Sequence, residues 1–272
     1  MKNLSIIFLV LLFTLNSCDK VKTPIQSTGN NPADTIQVIK RRILIEEFTG
    51  QLCTFCPDGA REIERLVEVY GSQIIPVSIH AGSFAEPGNG AWNDFTTTAG
   101  DVYLATFGVS SYPAAAVSRI NTAEITGKNQ WESKILSIKD DEPYAEIKIT
   151  NTYNNTTKKV DINAELEWLK DAEGGVNYKL QVYIIENHIT AKQIDNGVTI
   201  NDYDHKHMFR ADVNTPWGDI ISTSQKGQKE NFSYTYTLDP TWKENDCETI
   251  VFIYKEGPDY EVMQAAVKHV VE

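Results

Sequence analysis

Apolar positions follow two different periods along this chain. Ile43-Leu44-Ile45-Glu46-Glu47-Phe48 is a short, nearly continuous apolar run that predicts a buried strand, ended by Thr49-Gly50. Ala60, Ile63, Leu66, Val67 and Tyr70 then recur at three- and four-residue steps, with Arg61, Glu62, Glu64, Arg65 and Glu68 between them. That spacing predicts an amphipathic helix closed by Gly71. Residues 74–80 predict a second strand, so that strand, helix and strand form a βαβ unit with a right-handed crossover. A Gly-, Ala-, Asn- and Thr-rich connection follows over residues 81–100, holding Trp92 and Phe95. Residues 102–107 read as the end of a helix before Gly108, residues 114–119 as a strand of small side chains, and residues 123–126 as its hairpin partner. A closing helix is expected over residues 129–139, terminated by Pro143.

Beyond Pro143 the period becomes two. Val160, Ile162, Ala164, Leu166 and Trp168 alternate with Asp161, Asn163, Glu165 and Glu167, the pattern of a strand with one buried and one wet face. Further strands are expected at residues 144–152, 177–187, 207–213, 231–238, 248–254 and 262–270. Turn signals at Asn154-Asn155, Gly174-Gly175 and Gly257-Pro258-Asp259 separate several of them. Seven strands so spaced predict an antiparallel, immunoglobulin-like or jelly-roll-like sandwich. The pattern thus divides the chain into an α/β domain over residues 36–142 and an all-β domain over residues 143–272.

The ends and the charge add a location. Met1-Lys2-Asn3 followed by the apolar stretch from Leu4 to Leu15 is too short to span a bilayer and reads, over residues 1–17, as a secretory signal. Leu15-Asn16-Ser17-Cys18 resembles the bacterial lipobox, which makes Cys18 the expected lipidation site; the alternative is an ordinary signal with an unpaired secreted thiol. Residues 18–35 are polar, without apolar periodicity, and read as a flexible tether. The formal net charge of −12 argues against nucleic acid and against adsorption to anionic lipid, so membrane attachment would come from acyl chains. Four cysteines are present. Cys53 and Cys56 stand three apart where the strand period gives way to the helical one, a spacing open to a small disulfide or to half of a metal site. Export to an oxidising compartment and the lack of a second pair at suitable spacing favour the disulfide. Cys247, just before an apolar run, reads as a core residue.

Three features in order give the first domain a resemblance to the thioredoxin-like superfamily. Glu47-Phe48 lies six positions before Cys53, Cys53 and Cys56 open the next helix, and Phe107-Gly108-Val109-Ser110-Ser111-Tyr112-Pro113 matches the segment leading to a cis-proline. More narrowly, Glu46-Glu47-Phe48-Thr49-Gly50, Cys56-Pro57, Ile79-His80-Ala81-Gly82, Tyr112-Pro113 and Phe209-Arg210-Ala211 resemble the outer-membrane lipoprotein family named for a twenty-eight-kilodalton founding member. Its members combine lipobox, tether, thioredoxin-like domain and β-rich C-terminal domain. Thr54-Phe55 between the cysteines, and the lack of a Trp just before Cys53, depart from the well-known oxidoreductases of the superfamily.

The resemblance implies thiol–disulfide exchange, with protein thiols or disulfides as substrates and no cofactor. A Cys53 thiolate would face the helix amino end and act as nucleophile, and Cys56 would resolve the mixed disulfide. Glu47, facing inward, would accept the Cys56 proton; a register shifted by one would put Glu46 there and Glu47 in solvent. Pro113, if cis, would leave Tyr112 to meet an extended substrate, with Phe55 and Trp92 as further contacts; Trp92 reads equally as core. The alternatives are a static disulfide stapling the helix start, and a non-catalytic lipoprotein whose sandwich binds a protein or glycan. His80 reads as structural. Asp202, Asp204, His205 and His207 have metal-ligand chemistry without further ligands, and no metal is expected. The oligomeric state is left open. Replacing Cys18 with Ser should release the protein from the membrane fraction, checked by carbonate washing; retention would refute the anchor.

Overall fold

The computed structural model describes residues 39–87 and 92–272; the expected signal, Cys18 and the tether lie outside them. The first apolar run forms β1 (Ile43–Thr49), every residue of which is buried. Helix α1 (Cys56–Tyr70) ends at Gly71, whose φ of 59° belongs to the left-handed region that glycine enters without a steric cost. It crosses to β2 (Ile74–His80), parallel to β1 with Glu47 opposite Ser78 and Thr49 opposite His80. After α2 (Thr98–Thr106), capped by the Thr97 side chain on the Gly100 amide, β3 (Ala114–Val117) runs antiparallel to β1. Its alanines let helices approach that part of the sheet closely. A one-turn α3 (Ile120–Ala123), β4 (Ile125–Thr126) beside β3, and α4 (Trp131–Ile138) complete this half.

Ten strands follow: β5 (Ala145–Asn154), β6 (Lys159–Trp168), β7 (Tyr178–Glu186), β8 (Ile189–Asp195), β9 (Val198–His205), β10 (Met208–Asp212), β11 (Asp219–Ile220), β12 (Lys229–Thr237), β13 (Cys247–Lys255) and β14 (Val262–His269). They do not form the separate seven-stranded sandwich expected from their spacing. Strands β14, β13, β7 and β10 continue the same mixed sheet as β2, β1, β3 and β4, in that order, with β11 against β7. Only β12, β6 and β5 form an independent antiparallel sheet, and β8 and β9 pair as a hairpin.

Each side of the expected 142/143 division has a cluster of its own, Ile43, Ile63, Leu66 and Trp131 among others before it and the layer below after it, while the large sheet and a further cluster are shared across it. Ile147, Ile162, Leu166 and Trp168 of the small sheet pack on Leu180, Val182, Val251 and Ile253 of the large one, which is the sandwich layer. The opposite face of β7 and β13 is buried as well. There Tyr183, Phe252 and Tyr254 join Leu44, Phe48, Ile79 and Tyr103 in one cluster. Strands covered on both faces lose the alternation that would mark a domain edge.

At the centre of that cluster lies an ion pair. Arg119 donates to both carboxylate oxygens of Glu46, Nε to Oε2 at 2.6 Å and Nη2 to Oε1 at 2.7 Å, and to Tyr183 Oη at 2.9 Å. Both side chains are fully buried. The guanidinium also lies over the rings of Phe107, Phe252, Tyr254 and Tyr103, 5.1 to 5.5 Å from their centroids. Burial alone would lower the Arg119 pKa; the charge and hydrogen bonds of Glu46, together with Tyr183 and Tyr103, outweigh it, so the group stays charged. Ser118 and Arg119, with φ of 43° and 50°, adopt the left-handed region to turn the side chain inward. Arg119→Met should cost about 3–5 kcal/mol in urea denaturation by stranding the Glu46 charge, and adding Glu46→Leu should recover most of it. Equal losses in the single and double variants would overturn this account.

Candidate functional site

The turn between β1 and α1 is held from three sides. The Cys53 amide donates to Gly50 O at 3.1 Å, the Cys56 amide to Cys53 O at 3.3 Å, and the Leu52 amide to Phe84 O at 2.9 Å. A Cβ on Gly50 would overlap the Phe84 backbone, so the approach of the 82–85 turn requires glycine there. Cys56 is the first residue of α1, with Pro57 behind it, and no side chain caps the helix. Cys53 and Cys56 are joined by a disulfide. Both are buried, at 3% and 2% exposure, while Phe55 between them is 58% exposed.

The β8–β9 hairpin docks on this loop. Ile194 and Asn196 donate their amides to Gln51 O and Thr54 O, each at 2.9 Å, and the Gly197 amide donates to Thr54 Oγ1 at 2.7 Å. Gln193 Nε2, itself buried, donates to Cys53 O at 3.1 Å and Gly50 O at 3.3 Å. Arg61 of α1 pairs with Asp195 at 3.0 Å, and Lys206 just past the hairpin pairs with Glu64 at 3.2 Å. No strand was expected over these residues. Their signal is Asn196-Gly197, both at positive φ, flanked by Ile189, Ala191 and Ile200.

Beneath the hairpin lies a cavity of about 210 Å³, lined among others by Glu47, Cys56, Ser78, His80, Gln193 and His205. Glu47 is buried and its Oε1 has no hydrogen-bond partner, while Oε2 accepts a long bond of 3.4 Å from Ser78 Oγ. Burial, partly countered by Ser78, raises its carboxyl pKa to about 8. His80 is buried with neither ring nitrogen bonded, its ring 5.5 Å from those of Phe95 and His205. Burial and the neighbouring His205 push its pKa well below the ordinary value, and burial brings His205 to about 4. The buried wall of the cavity, Glu47, His80 and His205, is thus uncharged near neutral pH, whereas Arg61, Glu64, Asp204 and Lys206 line it as well.

Of the two register alternatives, the structure has the one with Glu47 inward: Glu47 faces the cavity, and Glu46 lies on the opposite face of the sheet, buried with Arg119, a partner that no local pattern reveals. The Tyr112–Pro113 peptide bond is cis. A Cβ on Gly59 of α1 would overlap both Glu47 Oε1 and Pro113 Cβ, so this glycine brings helix, carboxyl group and proline loop together. Tyr112 is half-buried, its hydroxyl donating to Ala81 O at 3.0 Å and its ring 5.3 Å from that of Phe84. The Trp92 ring lies against Lys192 of β8, whose Nζ is 5.8 Å from its centroid, and the next residue, Asn93, accepts at its carbonyl from Gln51 Nε2 of the motif loop at 2.6 Å. Cys247 is a fully buried free thiol, raised to about 12 by burial. Asp204 pairs with His188 at 3.1 Å, and among the described residues no group of three or more such ligands is placed to hold a metal ion.

The family of outer membrane protein Omp28 matches residues 100–271. Two solved structures are similar in fold. HBP35 of Porphyromonas gingivalis is 19% identical, with a TM-score of 0.69 over 85% of this chain and 76% of that one. A protein of Agrobacterium tumefaciens is 12% identical, with a TM-score of 0.53 over 85% and 95% of the two chains. No curated protein matches the chain.

Because its neutral form is the one favoured by folding, Glu47 contributes fully below the ordinary carboxyl range, and that contribution is lost as pH rises toward 8. Glu47→Gln should therefore gain on the wild type by about 1.4 kcal/mol per pH unit between roughly pH 5 and 8, read by urea denaturation across that range. Parallel pH profiles for the two proteins would refute the buried neutral acid.

Proposed function

Because the chain belongs to the family of outer membrane protein Omp28 and is a protein of the outer-membrane envelope, we propose that it is a lipid-anchored, non-catalytic binding protein. In this reading the Cys53–Cys56 disulfide is a staple at the start of α1, and the solvent face of the β12-β6-β5 sheet receives a protein or glycan partner. The observation that carries it is the low exposure of both cysteine residues, 3% and 2%, in a loop on which the hairpin is hydrogen-bonded. Support for the binding face comes from its chemistry. Lys148, Thr150, Asn163, Glu165, Asn231 and Ser233 line a shallow depression there, a set rich in hydrogen-bond donors and acceptors.

A second reading, thiol–disulfide exchange with protein substrates, is favoured by one observation: the neutral Glu47 carboxyl shares the cavity with Cys56. The strand order β2-β1-β3-β4, the parallel β1–β2 pair and the cis bond before Pro113 fit a thioredoxin-like half in either case. Under exchange, Cys53 would be the nucleophile, Cys56 the resolving thiol and Glu47 its proton acceptor, with Tyr112, Phe55 and Trp92 toward the substrate.

The two readings separate in graded dithiol buffers. After equilibration of the folded protein and alkylation of free thiols, the staple reading expects the pair to stay oxidised throughout the graded buffers and to give way only to a large excess of dithiol. Reversible titration of the pair in the folded protein would sink it and favour exchange.

A further inference from the structure

The loop that carries the disulfide is covered by residues about 140 positions away in sequence, as the separations of the Gln193 bonds to Cys53 and Gly50 attest. These long-range hydrogen bonds run from one element, the β8–β9 hairpin, to the backbone and Thr54 side chain of the loop, while Phe84 and Asn93 hold it from the other side. Among the described residues the hairpin forms a sheet with no other strand. Its outer strand is mostly exposed, and its rim is held by Arg61–Asp195, a pair with Arg61 about half exposed. Such exposed pairs contribute little, about 0–1 kcal/mol. Its inner side is anchored by Ile189 and Ala191 against Phe95 and Met208 and by the His205 ring, a small cluster that opening must part. An element with one paired partner and a wet outer face opens locally at less than the global unfolding free energy.

We propose that the β8–β9 hairpin is a latch over the Cys53–Cys56 disulfide, and that its local opening is the step that admits an external thiol. The proposal rests on neither functional reading, since it requires only that the bond exist. In the open state one thiolate of an external dithiol attacks a sulfur of the pair, forming a mixed disulfide and releasing the other sulfur as a thiolate. The reagent's second thiolate then attacks its own mixed-disulfide sulfur. The chain gains two electrons and, after protonation from solvent, two thiols; the reagent leaves as its cyclic disulfide. Closing the latch restores the Gln193 bonds and excludes further reagent.

The test is the rate of reduction of the folded, full-length protein by dithiothreitol, quenched with a thiol-reactive polymer that shifts the band on a gel. Thr54→Val removes the acceptor of the Gly197 amide on an accessible side chain, and should speed reduction roughly two- to tenfold. Gln193→Ala removes two bonds and should speed it more. Hydrogen exchange supplies the second measurement: in Thr54→Val the Ile194, Asn196 and Gly197 amides should lose protection while those of β1 and β2 keep theirs. Equal reduction rates in wild type and Thr54→Val would overturn the latch. So would faster reduction with matched loss of protection in β1 and β2, which would mean that the thiol enters through global unfolding. A Gln193→Ala protein that fails to fold leaves the Thr54→Val comparison to decide.

Discussion

The pairing of Arg119 with Glu46 is the interaction on which the rest of the structure depends. Removing two charges from water costs several kcal/mol for each ion, and the geometry must return it. Here the return comes from a two-pronged contact at 2.6 and 2.7 Å, a hydrogen bond to Tyr183, and four aromatic rings around the guanidinium. Tyr183 belongs to β7, and Phe252 and Tyr254 to β13. The charge on β1 is therefore satisfied only when strands from the far end of the chain have joined the same sheet.

That junction determines what happens at the cysteines. Strand β10 meets β2 through Met208 opposite Ser78, and the Ser78 amide donates to His207 O at 2.7 Å. The β8–β9 hairpin is the connection between β7 and β10, so inserting β10 beside β2 carries the hairpin across α1. Cover over the disulfide is a by-product of sheet continuity. The half of the chain that bears the motif supplies only part of the cover, through the Phe84 and Asn93 carbonyls that hold Leu52 and Gln51.

The local elements were legible and their partners were not. The three- and four-residue spacing from Ala60 to Tyr70 located α1, and the alternation from Val160 to Trp168 located β6 with its wet and dry faces. Strand β1 shows where such reading stops. All seven of its residues are buried, so no alternation told which glutamate faces which layer, and both found buried places. The hairpin escaped because its covering side is built from Gln193 and backbone amides, polar groups that carry no hydrophobic period. Strand order across residue 143 was equally hidden, since pairing partners are chosen by long-range packing. At the site, the cysteines and Glu47 were visible as residue types, whereas Arg119, Gly59, Gln193 and His205 acquire their roles only from what stands opposite them.

The Arg119 pocket also orders events in time. A chain that crosses a membrane from its amino end presents β1, α1, β2 and the left-handed turn at Ser118-Arg119 well before residues 252 and 254 emerge. During that interval the guanidinium has no aromatic enclosure and Glu46 no reason to leave water, so the first half must wait, solvated and incomplete. The disulfide is under no such constraint, because its two cysteines are three residues apart and meet without any distant strand. Covalent closure of the motif can thus precede assembly of the sheet. The bond can therefore be made before β10 docks and brings the hairpin down.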